Sequence, residues 1–258
     1  MARLAGGRPA GVTLVEVPAG LWVLAGTGAV VPPPSDLAFG VPADPELCTL
    51  IVGSAGTARP DPALVAAAVA DLPPAVRDRL LVAPYGSGTR GAAEVAGELA
   101  RRWGRPVQLA NGLPVIGSDG VARTLATDEA GNPLWWPMSR RMRCDPAGPP
   151  VPVDPAAPLA DLPVVAERVW SLQGPWLVEL THFGLWVRHR DAPAGAAQLA
   201  QIPWDPRWLT VVAGVPGQPP DGIRPVVAGL LARLPEQARA RVRMVSPELL
   251  SRLTSAEP

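Results

Sequence analysis

The sequence predicts an α/β fold made from one unit used twice, a β-hairpin followed by a βαβ crossover, with the first copy extended by a further helix, strand and hairpin. Three observations carry this. The chain matches itself at a nearly constant shift of about 160 residues. Short apolar runs of strand type alternate with stretches whose apolar residues recur at helical spacing. Glycine and proline clusters fall between them, where the chain must turn.

The internal match begins at Leu14-Val15-Glu16-Val17 and Gly20-Leu21-Trp22-Val23. These return as Leu177-Val178-Glu179-Leu180 and, after a turn one residue longer, Gly184-Leu185-Trp186-Val187. It resumes with Pro42, Asp44, Pro45 and Thr49 against Pro203, Asp205, Pro206 and Thr210, then Gly53 and Gly56 against Gly214 and Gly217. Pro60-Asp61 answers Pro220-Asp221, and Leu72-Pro73, Arg77 and Arg79 answer Leu234-Pro235, Arg239 and Arg241. Matches held in one order over so long a stretch point to duplication rather than coincidence.

Residues 14–24 read as two strands around Pro18-Ala19-Gly20, a connection whose glycine accepts positive φ. Thr49 to Val52 is a short apolar run opening into Gly53-Ser54-Ala55-Gly56, as a buried strand entering a loop does. Asp61 is placed to cap a helix and Pro62 to occupy its first turn. Leu64, Val65, Ala68, Val69 and Leu72 then share a face until Pro73-Pro74 stops the helix. Arg79 to Ala83 is the next strand, and strand, helix and strand with short connections imply a right-handed parallel crossover.

The first copy continues through Tyr85-Gly86-Ser87-Gly88 into a helix from Gly91 to Trp103, then a strand from Pro106 to Ala110. Val121 to Ala126 and Leu134 to Met138, on either side of Asp128-Glu129-Ala130-Gly131-Asn132, read as a second hairpin. From Cys144 to Pro163 proline is dense and periodicity slight, the pattern of a semi-rigid connection. The expected organisation is an α/β domain over residues 1–143, a proline-rich linker over 144–163, and a second, shorter copy over 164–258. After Arg241 to Val245 that copy has only Pro247 to Leu253 as a last helix.

A chain of 258 residues, 48% hydrophobic and 18% charged, is long enough to bury a core as one large domain or two modest ones. Its 23 basic residues, all arginine, balance 23 acidic ones, so no net field draws it to nucleic acid or an anionic membrane. Two clusters, Arg140, Arg141 and Arg143, then Arg239, Arg241 and Arg243, read as solvated faces. The uncharged run from Val17 to Ser35 is broken by Pro18, Gly20, Gly26, Gly28 and Pro32 to Pro34, which argues against a membrane span. Cys48 and Cys144 lack metal-like neighbours and make no disulfide framework, so no metal is expected and a reducing, cytoplasmic compartment fits.

Catalytic equipment is sparse. His182, in the turn of the later hairpin, and His189, between Arg188 and Arg190, read as exposed turn histidines away from the C-terminal strand ends where α/β sites form. Cys48 precedes a buried strand and matches Leu209, which suits core packing, and Cys144 has no evident histidine partner. Trp22 and Trp186, at matched places, read as structural anchors. No catalytic residue and no cofactor is expected. The ligand-type feature is the pair of glycine loops after residues 52 and 84. Helix N-termini there offer N–H groups to an anion, with Ser54, Thr57, Gly86, Ser87, Gly88 and Arg90 as contacts. Neither loop matches a Walker or dinucleotide motif, and glycines also serve simply to turn strand into helix.

The stretch from Leu50 through Leu109 contains Leu50-Ile51-Val52-Gly53, Arg79-Leu80-Leu81-Val82-Ala83-Pro84-Tyr85-Gly86-Ser87-Gly88 and Trp103-Gly104-Arg105-Pro106-Val107-Gln108-Leu109. It resembles uncharacterised α/β repeat regions of large actinobacterial proteins and, in layout, caspase-like domains. That family places a histidine after one strand and a cysteine after the next. Here Gly53 to Gly56 and Pro84 to Gly86 stand at those points, so the resemblance implies a fold without the peptidase dyad. The function expected is a non-catalytic scaffold or protein-interaction module with a protein partner, in a larger assembly. The alternatives are a small-molecule or nucleotide-binding protein using the glycine loops, and a degenerate or unusual hydrolase.

Overall fold

The computed structural model describes residues 11–192, 197–215 and 222–245. The fold is α/β, with three sheets. Strands β1 (Val12–Val17) and β2 (Gly20–Ala25) form the first hairpin, and β3 (Cys48–Val52) lies parallel to β2. Helix α1 (Pro62–Val69) starts where Asp61 Oδ1 accepts the Ala63 N–H at 2.8 Å, with Pro62 in the first turn. The helix closes at Val69, with the Ala70 N–H on Ala67 O, short of the Leu72 expected within it, and Pro74, whose fixed φ suits a first helical position, begins the short α2 (Pro74–Arg77). Then β4 (Leu80–Pro84) pairs parallel with β3, α3 (Ala92–Trp103) crosses over, and β5 (Val107–Ala110) pairs parallel with β4. The buried faces of α1 (Val65, Ala66, Val69) and α3 (Val95, Ala96, Leu99, Ala100) close over Leu50, Val52, Leu80 and Val82 in the first core.

Beyond β5 the chain leaves the sheet. Strands β6 (Leu113–Ile116), β7 (Ala122–Thr127) and β8 (Pro133–Trp135) make a separate antiparallel sheet, so the predicted hairpin gains a third strand. The chain returns as β9 (Arg141–Cys144), antiparallel to β5, and β10 (Val151–Pro152) pairs with β9 to finish a seven-stranded sheet. One expectation is met here and one changes. The first arginine cluster is a solvated face: Arg140 and Arg143 are exposed and Arg141 half-buried, with Arg141 and Arg143 on the outer side of β9. Met142 and Cys144 point inward while Arg141 is ion-paired to Asp154 at 2.7 Å and Arg143 to Asp145 at 3.1 Å. The proline-rich stretch, read as a semi-rigid connection, is packed at two places, β10 in the first sheet and Leu159 in the second core.

The second sheet runs in the order β11 (Val164–Ala166), β12 (Val169–Ser171), β13 (Trp176–Thr181), β14 (Gly184–His189), β15 (Leu209–Ala213) and β16 (Val242–Val245). Helices α4 (Ile223–Arg233) and α5 (Glu236–Arg239) lie between its last two strands. Its second part pairs as the first sheet begins: β13 antiparallel to β14, then β15 and β16 each parallel to the strand before. Gly20 faces Thr49 as Gly184 faces Thr210, and Cys48 faces Leu80 as Leu209 faces Val242. Gly20 (φ 146°) and Gly184 (φ 137°) both stand where a Cβ would strike the backbone of the facing threonine. Trp22 Nε1–H donates to Gly53 O at 2.6 Å, and Trp186 Nε1–H donates to Gly214 O at 2.8 Å.

One detail of the internal match is corrected. Both hairpins close through two residues, with Val17 opposite Gly20 and Thr181 opposite Gly184, so the second turn is not longer. The match of Leu14-Val15-Glu16 to Leu177-Val178-Glu179 is therefore one residue out of hairpin register. Glu16, opposite Leu21, is exposed, whereas Glu179, opposite Trp186, is ion-paired to the buried Arg188 at 3.1 Å. A one-residue slip exchanges the faces of a strand, and the letters matched while the faces did not. The matches at Gly217 and Pro220-Asp221, and the helix expected over Pro247 to Leu253, lie outside the described residues.

The two halves exchange tryptophans. Trp135 of β8 belongs to the second core and donates from Nε1 to Pro206 O at 2.8 Å. Trp204, just before β15, belongs to the first core and donates from Nε1 to Asn111 Oδ1 at 2.9 Å. Among the described residues no helix is long and apolar enough to cross a membrane.

Candidate functional site

Because β3 and β4 are parallel neighbours, the loops that follow them open at the same end of the sheet. Of the six residues predicted to hold an anion, five come together there: Ser54, Thr57, Gly86, Ser87 and Gly88. Their polar groups are directed at one another. The Ser87 N–H donates to Ser54 O at 3.0 Å, the Ser54 N–H to Ser87 Oγ at 3.3 Å, and Ser87 Oγ–H to Ala58 O at 3.1 Å. The Gly86 N–H donates to Thr127 Oγ1 at 3.2 Å and the Gly88 N–H to Tyr85 O at 3.0 Å. Thr57 Oγ1 lies 3.4 Å from Ser87 Oγ. Arg90 stands apart on the surface, its Nε 3.6 Å from Glu129 Oε1.

These amides, the donors an anion would require, are engaged inside the protein. The glycines serve a different need. A Cβ on Gly88 would overlap the Val52 carbonyl, one on Gly86 the Ser54 carbonyl, and one on Gly53 the Gly88 amide. The two loops thus form a seam of backbone against backbone. Ser54 Oγ is buried in it without a hydrogen-bond partner, an arrangement that typically costs about 1–3 kcal/mol.

His182 differs from its expected exposure. The β13–β14 turn tucks beneath the segment leading to β15, so the ring is buried, edge-on to Phe183, and donates from Nε2 to Ile202 O at 2.8 Å. Burial pushes its pKa below the usual imidazole value, against the smaller raising effect of that hydrogen bond. The unfolded chain then takes up a proton before the folded one does. The His182 contribution to stability is fully present above about pH 6.5 and is lost as pH falls from there through the lowered folded value. His182→Gln, which keeps a donor for Ile202, is expected to flatten the urea-measured stability profile between pH 7.5 and 5. Parallel profiles for the two proteins would refute this. His189 is half-exposed at the end of β14, edge-on to Trp176 and beside Asp191.

Neither thiol is prepared for nucleophilic work. Burial raises the Cys48 pKa, partly offset by Arg79, and pushes the buried Cys144 thiol up to about 12. A group held protonated at neutral pH is a poor nucleophile.

Cys144 and His182 both line a cleft of about 460 Å³ between the halves, with Arg90, Arg101, Asp145 and Trp204. That volume suits a small molecule. Its charged walls are already paired: Arg90 with Glu129, Arg101 with Glu98 at 2.5 Å, and Asp145 with Arg143. Nothing in the sequence marked this cleft, because α3, the loop after β9, the β13–β14 turn and the segment before β15 each supply a part and no short motif spans them. Among the described residues no group of three His, Cys, Asp or Glu side chains is placed to hold a metal ion.

A third feature is the loop between β2 and β3. It carries Val30, 91% exposed, Val31, 47% exposed, and Leu37, 38% exposed; Val164 and Val165 of β11, 73% and 56% exposed, form a second adjacent pair. The Ala29 N–H donates to Thr13 Oγ1 at 3.1 Å at one end of the exposed run. At the other, the Asp36 N–H donates to Pro33 O at 2.9 Å and Asp36 Oδ1 caps a short 3₁₀ turn over Leu37–Gly40. Compared with known proteins, the chain matches no family model, no curated protein and no solved structure.

Proposed function

We propose that this chain is a duplicated, non-catalytic protein-interaction module that works as a scaffold for a protein partner. The observation that carries the reading is the exposed Val30-Val31 run on a loop fastened at both ends. Adjacent apolar side chains held in water on an ordered segment offer a surface that another protein can cover. The duplication draws support from the shared strand pairing and from the two tryptophans that donate to glycine carbonyls at matched strand ends. The non-catalytic part draws support from two thiols held protonated and a histidine committed to a backbone carbonyl.

Covering one valine side chain stabilises a complex by about 1.5–3 kcal/mol, and tenfold in affinity corresponds to about 1.4 kcal/mol. Val30→Asp/Val31→Asp is therefore expected to reduce the yield of a discrete cross-linked complex, formed by the tagged full chain in its native cells, by tenfold or more. The melting temperature should stay unchanged, since neither side chain supports the core. An equal yield from both proteins would end the proposal.

A further inference from the structure

The exposed loop contains three consecutive prolines, and these name the kind of partner it fits. Pro32, Pro33 and Pro34 fix their own φ near −65°, and a residue that precedes proline is kept out of the helical region, so Val31, Pro32 and Pro33 are held extended. Three residues per turn is the repeat of polyproline II, and the two half-buried positions ahead of the turn, Ala29 and Pro32, stand three apart. Ala29 and Pro32 are half-buried, Ala29 against the Trp22 cluster, while Val30, Val31 and Pro33 face out. Pro34 then opens the turn closed by the Asp36 N–H on Pro33 O. One ridge rests on the protein and two ridges face solvent.

Nothing charged lies between Val17 and Ser35, so recognition there rests on shape and on ring contacts rather than on ion pairs. We propose that Val31–Pro33, with Val30 beside it, is a preorganised polyproline II ligand, presented to a partner protein whose groove is lined by aromatic side chains. Such grooves read proline ridges directly, and a segment already held extended loses little conformational freedom on docking. The inference rests on the interaction-module reading and adds the class of partner.

The test titrates the full chain into isotope-labelled WW and EVH1 domains and follows the resonances of their groove aromatics. At least one domain is expected to show saturable shifts that a decaproline peptide reverses. Pro33→Ala and Val30→Ser, each checked for an unchanged melt, should weaken binding at least fivefold, and Pro32→Ala, on the inward ridge, by less. Val30→Ser keeps the test sound if Pro33→Ala loosens the loop. Absence of shifts in both domains at millimolar chain, or affinity indifferent to both outward substitutions, overturns the polyproline inference. If that happens while Val30→Asp/Val31→Asp still abolishes the cellular complex, the interaction reading stands without it, and failure of both experiments removes both.

Discussion

Gly88→Ala is expected to prevent folding, with a loss exceeding about 4 kcal/mol against a total stability of about 5–15 kcal/mol for a typical domain. The added methyl would meet the Val52 carbonyl and the Gly53 amide, and neither can retreat. The Gly53 N–H is bonded to Val23 O at 3.0 Å and the Tyr85 N–H to Val52 O at 3.0 Å, so moving the seam disturbs three parallel strands at once. Gly56→Ala is the comparison. Its Cβ would meet no atom within 4 Å, and only the φ of 62° opposes it, at a cost of about 1–2 kcal/mol. Circular dichroism with urea titration separates the two. A Gly88→Ala protein melting within a few degrees of the parent would show that the seam can open.

Trp135→Ala should cost about 3–5 kcal/mol, the range for deleting a large buried aromatic. The substitution removes the Nε1–H bond to Pro206 O and leaves a void in the second core. Because Trp135 is anchored on the β6–β8 sheet, its loss should also uncouple the halves. The parent is expected to unfold in one transition by fluorescence and circular dichroism, and the variant in two. A loss below 1 kcal/mol with the single transition retained would mean that the halves are held together elsewhere.

Much of the first sheet could be read in advance because its information is local. β3 and β4 are apolar runs ending at glycine or proline, and Asp61 with Pro62 marks the start of the helix between them. β9 carried a local signal too, in the alternation Arg141-Met142-Arg143-Cys144, but the density of arginine obscured the period of two. Strands β10, β11 and β12 have only two or three residues each, too few for any periodicity to register. The burial of His182 depends on Ile202, twenty positions away, and the cleft on four separated segments. The loop glycines were legible as sites of tight geometry, but the seam that explains them requires two loops to meet. No single stretch of sequence states that.

The exchange of tryptophans sets a schedule for synthesis. The carbonyl that receives Trp135 belongs to a residue 71 positions later, and the first core also waits for Trp204. At about 5–20 residues per second, translation takes about 4–14 s to advance from one to the other. Over that interval a growing chain already able to pair β1 to β5 carries Ala126, Trp135 and Leu159 with the sheet that will bury them still unmade. The ribosome-bound intermediate is thus a half-closed particle with an apolar flank, and that flank is where a chaperone would bind it or a protease would cut it.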